Sequence, residues 1–228
     1  MMRLSIIIPT LNEAQRIGAQ VRRTAMLAGV HEVVVADGGS SDDTLLQVPA
    51  LANVRTLVTL AGRAVQMNAG ARAATGDVLL FLHADVELPG DVAARVETAL
   101  GDSRVVGGAF RTWTVADRPT WLGPLLHLAD LRSRYTGLPY GDQAPFARRA
   151  VFEAVGGFPE QPLMEDLELS IRLRAQGTLA RVPARVTVSG RRFIARPLFF
   201  TTIVNVFPAL YRLGVSAEVL ARFYAHVR

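Results

Sequence analysis

The chain of 228 residues contains no cysteine and no lysine. Without cysteine there is no thiolate nucleophile, disulfide, iron–sulfur cluster or cysteine-held zinc. Without lysine there is no Schiff-base chemistry and no P-loop lysine. All 25 basic residues are arginine, which does not give up its proton, so the pI reaches about 10.6 at a net charge of only +5. That excess is spread along the chain with no aromatic-interleaved basic tract, so nucleic acid is not expected as a partner. An anionic small molecule or a lipid surface suits it better. No run approaches about 18 uninterrupted apolar residues, so no spanning helix is expected. The start, MMRLSIIIPTLNE, is apolar too briefly for a signal peptide, and the expected compartment is the cytoplasm.

Half of the residues are apolar and 20% are charged, a balance that excludes disorder in a chain long enough to bury a substantial core. The first hundred residues alternate regularly. Strands are predicted at Leu4–Ile8, stopped by Pro9, and at Glu32–Ala36, Val54–Leu60 and Val78–Leu82. Helices are predicted at Ala14–Leu27, Ala64–Ala74 and Gly90–Leu100. This alternation implies right-handed βαβ units and a mostly parallel sheet flanked by helices, an α/β, Rossmann-like class. The second half is less regular. Strands are expected at Val105–Trp113, Ala144–Arg148 and Ala180–Val188, helices at Pro124–Arg134 and Leu167–Ala175, and a helical, very apolar segment from Pro197 onward. No linker, repeat or low-complexity tract divides the chain, so a single domain over 1–228 is expected.

In such sheets ligands sit outside the carboxyl ends of the strands. The residues there are Pro9, Thr10, Asn12 and Glu13 in PTLNE, Asp37, Gly38 and Gly39 in DGG, Arg63 in AGR, and His83, Ala84 and Asp85 in HAD. Carboxylates grouped with an arginine at one rim suit a ribose, a divalent metal and a diphosphate. Rival signatures are missing: no GxGxxG follows the first strand, and neither GxxxxGK[ST] nor GxSxG occurs.

IIIPTLNEA, VVVADGGSSDDT, GRAVQMNAGA, GDVLLFLHADVELP, GDQAPFARR and MEDLELSIRLR, in this order over roughly residues 3–190, resemble family 2 glycosyltransferases with a GT-A fold. They are most similar to a soluble bacterial subgroup with HAD in place of the usual Asp-x-Asp. The resemblance implies a nucleotide-sugar-dependent, inverting transferase using Mg²⁺ or Mn²⁺. It also implies a nucleotide-binding half over 1–100, an acceptor and catalytic half over 101–190, and C-terminal helices over 191–228. Asp85 aligns with the last aspartate of the family motif and becomes the metal ligand, in keeping with hard oxygen donors for these cations. A turn cap before Pro89 is the plainer alternative. His83 departs from the usual aspartate. It suits a hydrogen bond to a phosphate or ribose oxygen, ligation of a metal such as Mn²⁺, or simple packing at a strand end.

The resemblance places Asp37 against the nucleoside, with Gly38 and Gly39 allowing close approach and Asp42 capping the next helix. It places Thr10, Asn12 and Glu13 by the nucleobase, in a pattern that is equally an N-cap. Arg63 suits a bidentate fork onto the diphosphate, with Gln66 and Asn68 adding amides and Met67 expected in the core. Glu165 and Asp166 match the family's ED motif, with Asp166 as base and Glu165 orienting or binding acceptor. Two acids ahead of a helix also suit its dipole alone. Gly156, Gly157, Phe158 and Pro162 suit a tight turn into the site. Tyr140, Gly141, Asp142 and Gln143 resemble a segment contacting acceptor or donor sugar, and Arg191 and Arg192, with Phe193, fall where a loop closes over diphosphate.

For the tail, Pro197–Tyr211 falls short of a roughly 30 Å hydrocarbon layer at about 1.5 Å per residue. Three fates stay open: packing on the domain, a homodimer interface, or peripheral contact with the inner face of the membrane through residues 197–228, with Arg192, Arg196 and Arg212 facing headgroups. The leading expectation is transfer of a sugar from a nucleoside-diphosphate sugar, UDP being the expected nucleotide, to the hydroxyl of an unidentified acceptor. The alternatives are a polyprenyl-phosphate glycosyl synthase and a non-catalytic sugar-nucleotide-binding protein.

Overall fold

A computed structural model describes residues 2–116, His127, Asp130, 137–190 and 197–225. The four predicted strands of the first half are β1 (Leu4–Thr10), β2 (Val30–Asp37), β3 (Val54–Val58) and β4 (Val78–Phe81). They pair in parallel in the order β3-β2-β1-β4. Their apolar runs are continuous because both faces are covered. On one face Ile6, Ile8, Val33 and Val35 meet Ile17 and Val21 of α1 (Ile17–Ala25) and Val92 and Val96 of α3 (Val92–Ala99). On the other, Ile7 and Val34 meet Met67 and Ala71 of α2 (Arg63–Ala73), together with Phe81, Phe152 and Phe158. Gly70 makes this second contact close, since a Cβ there would lie 2.5 Å from Ile7 Cγ2.

Pro9 does not stop β1, which continues to Thr10. The carbonyl of Ile7 accepts from Leu82 on the β4 side. Two residues on, the N–H that proline lacks would point the same way, where β4 has already ended. At the opposite, amino-terminal pole of the sheet, the buried carboxylate of Glu32 takes Ser5 Oγ at 2.7 Å, the N–H and hydroxyl of Thr75, and the Arg55 guanidinium at 3.3 Å. These bonds hold Glu32 below the usual carboxylate range against the opposing effect of burial.

The remaining sheet is mixed and curled. β7 (Phe146–Arg148) runs antiparallel between β4 and β6 (Val105–Val115), and β8 (Thr178–Ser189) pairs with β6 in parallel. The two-residue β5 (Val86–Glu87), which hydropathy did not signal, closes the order β4-β7-β6-β8-β5. Also unforeseen is the short α4 (Arg149–Ala154), which precedes α5 (Glu165–Gln176). Predicted bounds shift by up to three residues, β3 ending at Val58 and β7 beginning at Phe146, and two of the shifts bear on the site. The helix expected from Ala14 begins at Ile17, because 14–16 are spent in a turn. The helix expected from Leu167 begins at Glu165, so both acids of ED lie inside its first turn.

The tail forms α6 (Pro197–Arg212), with Pro208 inside it, and α7 (Ala217–Ala225). No helix among the described residues is long and apolar enough to cross a membrane. The predicted helix Pro124–Arg134 falls largely outside the described residues, as do Arg191, Arg192, Phe193 and Arg196.

Candidate active site

Two loops interlock where β1 and β2 end. Asp37 is buried and turns its carboxylate into its own loop, accepting from the N–H groups of Gly39 (3.0 Å) and Ser40 (2.8 Å) and from the Ser40 hydroxyl. Ser40 Oγ accepts from the Asn12 N–H at 2.8 Å, and Asn12 Oδ1 accepts from the Ser41 N–H at 2.9 Å. Thr44 Oγ1 accepts from the Glu13 N–H at 2.8 Å, and Asp42 accepts from the N–H groups of Ala14 and Thr44. Asp42 does not cap the next helix as expected, since neither the turn that begins at Leu45 nor α1 has a side-chain cap; it ties the two loops together instead. Ser40 and Thr44 were absent from the expected site. Their signal was a pair of small hydroxyls at turn spacing after DGG.

Gln66 lies beneath this rim. Its Nε2 donates to the carbonyls of Thr10 (2.6 Å) and Ala36 (2.9 Å), tying the two strand ends together. A Cβ on Gly38 would come within 3.0–3.1 Å of that amide. Thr10 Oγ1 is buried at the same place without a hydrogen-bond partner. Asn68 is turned away from the rim. Its amide bonds Phe158 in both directions, at 2.8 and 2.9 Å, and so holds the Gly156–Phe158 turn.

The HAD residues form the connection from β4 to β5. The carbonyl of His83 accepts from Val86, and that of Asp85 accepts from Ser189 at the end of β8. His83, Ala84 and Asp85 are all half-buried. Against this connection sits the turn Gly141–Gln143, with Tyr140 buried just before it. A Cβ on Gly141 would lie 2.7 Å from Cε1 and 2.8 Å from Nε2 of His83, and 3.1 Å from Oδ2 of Asp166. Only a residue without a side chain lets the His83 ring and the Asp166 carboxylate close on it together. The Gly141 N–H donates to Asp166 Oδ2 at 2.5 Å, and the Leu167 N–H donates to Oδ1 at 2.8 Å. Gln143 is buried with an Nε2 that has no partner.

A second tie joins the two halves of the chain. Arg63, first residue of α2, donates through Nε to Glu165, first residue of α5. The Glu165 side chain is 2% exposed and that of Arg63 is 41% exposed, and Glu165 Oε2 is buried without a partner. Burial pushes Glu165 above its ordinary value of 4.5; the Arg63 guanidinium opposes this and the neighbouring Asp166 charge adds to it.

Strain gathers at the same place. The three non-glycine residues with positive φ among those described are Asn12 (55°), Ala144 (46°) and Met164 (64°). Each lies in or beside a loop just named, and such outliers cluster at functional sites. No group of three or more His, Asp or Glu among the described residues is placed to hold a metal ion alone. The donor set nevertheless fits a cation completed by substrate phosphates, because Mg²⁺ is ordinarily held by one or two carboxylates plus phosphate oxygens. Asp85, with His83 two residues before it, supplies that much.

The comparisons agree with this architecture. The mannosyltransferase PcManGT of Pyrobaculum calidifontis, solved with GDP-Man and Mn²⁺, superposes with a TM-score of 0.69 over 99% of this chain and 70% of that one, at 22% identity. TarS of S. aureus, solved with UDP-GlcNAc, gives 0.62 over 82% of this chain and 58% of that one, at 19% identity. Both likenesses establish the GT-A fold. In sequence, a PGL/p-HBAD biosynthesis glycosyltransferase of Mycobacterium bovis is 41% identical over 107 residues, 43% of this chain and 41% of its own length. An undecaprenyl-phosphate 4-deoxy-4-formamido-L-arabinose transferase of Sodalis glossinidius is 32% identical over 117 residues, 46% of this chain and 36% of its own. The chain thus spans less than half the length of these two relatives. Residues 5–156 match the glycosyl transferase family 2 as a whole, two thirds of the sequence, and the chain belongs to that family.

Proposed function

We propose that the protein transfers a sugar from a nucleoside-diphosphate sugar to an acceptor hydroxyl, with inversion at the anomeric carbon. The observation that carries this reading is the meeting of His83 and Asp166 across Gly141. It sets the strand-end residues suited to a diphosphate beside a carboxylate suited to take a proton.

The rim of Pro9, Thr10, Asn12, Glu13, Asp37, Gly38 and Gly39 is the proposed nucleoside cradle. Asp85, with His83, would hold Mg²⁺ or Mn²⁺, and such a cation when bound neutralises charge on the departing diphosphate. Arg63, held by Glu165 through Nε and 41% exposed, presents its guanidinium to the same diphosphate. Asp166 is the proposed base. Two backbone N–H groups orient its carboxylate, so it need not reorganise as the reaction proceeds. As the acceptor oxygen bonds to the anomeric carbon, its proton passes to Asp166, and the electron pair of the breaking C–O bond leaves with the diphosphate. UDP is the proposed nucleotide.

A second reading, favoured by the Sodalis glossinidius relative, is transfer to a polyprenyl phosphate. That acceptor is already an anion and needs no base. Thermal shifts with UDP and GDP, with and without Mn²⁺, followed by transfer assays, separate the readings. Asp85→Ala is expected to abolish metal-dependent nucleotide binding, whereas Asp166→Asn is expected to keep binding and stop transfer. Transfer by Asp166→Asn at the wild-type rate removes the base assignment and favours the lipid phosphate. Failure of every nucleoside diphosphate to stabilise the protein overturns the donor.

A further inference from the structure

Past the start of α5 the sheet carries a cluster that the proposed reaction does not yet use. α5 is followed after Gly177 by β8 and packs back along it, its 12 residues extending about 18 Å. At about 3.3 Å per strand residue, the helix covers β8 and its parallel neighbour β6 as far as Val182 and its register partner Phe110. Beyond that level, Val186 and Val188 point into the core on the opposite face. Arg185 and Thr187, with their partners Arg111 and Trp113, therefore share the face of α5, just past Asp166. Arg111 reaches the other side of the same site, lining a small crevice with Pro139 and Gln143.

Arg111 and Arg185 stand directly opposite each other on adjacent strands, both exposed. Neither has an acidic partner among the described residues. Like charges so placed destabilise a sheet. Arg185 is nonetheless held in position, with its guanidinium carbon 4.1 Å from the centroid of the Trp113 ring. The other face of that ring is taken by His127, stacked at 3.9 Å and 25°. The two cannot fit on one face at those distances.

His127 in turn donates through Nδ1 to Asp130 at 2.9 Å, and Asp130 also accepts from the N–H and hydroxyl of Thr114 at 3.0 and 2.7 Å. β7 pairs with β6 at Gly107 and Gly108, so Asp130 supplies an acceptor that no strand among the described residues provides there. Edge capping accounts for Asp130, which is 3% exposed. It does not account for the two arginines, or for an imidazole 38% exposed with its Nε2 turned away from the carboxylate.

We propose that Arg111 and Arg185, the latter braced on a Trp113 ring backed by His127, bind a phosphate group carried by the acceptor. Guanidinium forks match phosphate oxygens bidentately, and a pair of them suits a dianion. This rests on the glycosyl-transfer reading and adds the acceptor's chemical class. The phosphate comes either from a soluble phosphate monoester or from a lipid phosphate at a membrane surface.

The test titrates inorganic phosphate into the full chain saturated with UDP and Mn²⁺, so that the diphosphate site is filled. Wild type is expected to bind, and the Arg111→Gln/Arg185→Gln double variant is expected to bind at least about 10-fold more weakly with unchanged UDP affinity. Competition of the bound phosphate by glycerol 3-phosphate assigns a soluble acceptor, and co-sedimentation with polyprenyl-phosphate vesicles but not phosphatidylcholine vesicles assigns a lipid one. Equal phosphate affinity in the double variant and wild type, or no phosphate binding at all, overturns the proposal. UDP binding is read in the same experiment, so loss of the donor reading shows separately, as absence of UDP binding by wild type.

Discussion

Replacing Gly141 by alanine asks whether His83 and Asp166 belong to one working unit. The added Cβ would lie 2.7 and 2.8 Å from two ring atoms of His83, about 0.7 Å short of ordinary van der Waals contact. Either the ring is displaced by about that much or the turn retreats. If the turn retreats, the 2.5 Å bond from Gly141 N–H to Asp166 lengthens toward about 3.2 Å, the edge of a useful hydrogen bond. Overpacking of this kind costs about 1–3 kcal/mol of stability. A misplacement approaching 1 Å at reacting groups costs about 10²-fold in turnover. Gly141→Ala is therefore expected to fold, to melt several degrees lower, and to turn over donor about 10²-fold more slowly. Gly137→Ala is the control, since a Cβ there meets nothing within 4 Å. Chemical denaturation and donor turnover on both variants provide the measurement. If Gly141→Ala turned over donor within about twofold of Gly137→Ala, His83, Gly141 and Asp166 would not form one site, and the proposed chemistry would lose its foundation.

Arg63→Gln leaves a carboxylate buried without its cation, which costs about 3–5 kcal/mol in a fully buried pair and less here, about 1–3 kcal/mol, because the arginine is partly solvated. The carboxyl is already raised above 4.5, so its burden on stability is absent below that value and grows as pH rises through the folded value. The Arg63→Gln deficit, read from denaturation curves, is thus expected to be large at pH 7, to shrink toward pH 4, and to be recovered in part by adding Glu165→Gln. Asp37→Asn turns an amide N–H toward donors that now face an oxygen. It is expected to cost about 1–3 kcal/mol and to weaken nucleotide binding by calorimetric titration. Asn68→Ala removes both bonds to Phe158 and is expected to cost about 2 kcal/mol while sparing nucleotide affinity, a combination that thermal shifts with and without UDP will reveal.

The two halves of the chain differed in how much could be read from their residues. From Leu4 to Leu100 each strand and helix longer than three residues was visible, because an element buried on both faces writes its burial into consecutive apolar residues. The errors there were of one to three positions, and two have a plain local cause: the turn at 14–16, and the missing N–H of Pro9 falling where β4 has ended. β5 left no trace, being two residues long and defined only by its pairing with Val188 and Thr187.

For the site, residue identities at the strand ends were legible, since topology dictates where ligands bind in such sheets. Side-chain direction was not. Asp37, Asp85 and Asp166 look alike in sequence, yet Asp37 folds back into its own loop while Asp166 is held by two backbone N–H groups of different segments. Asn68 read as a rim amide and instead clamps Phe158, 90 positions away along the chain. The Arg63–Glu165 pair, separated by 102 residues, and the Arg111–Arg185 pairing across β6 and β8 were invisible for the same reason. Local pattern records whether a residue is buried and in what kind of element. Which distant residue it meets depends on the register and curl of the whole sheet, and those are set only when every strand has found its neighbours.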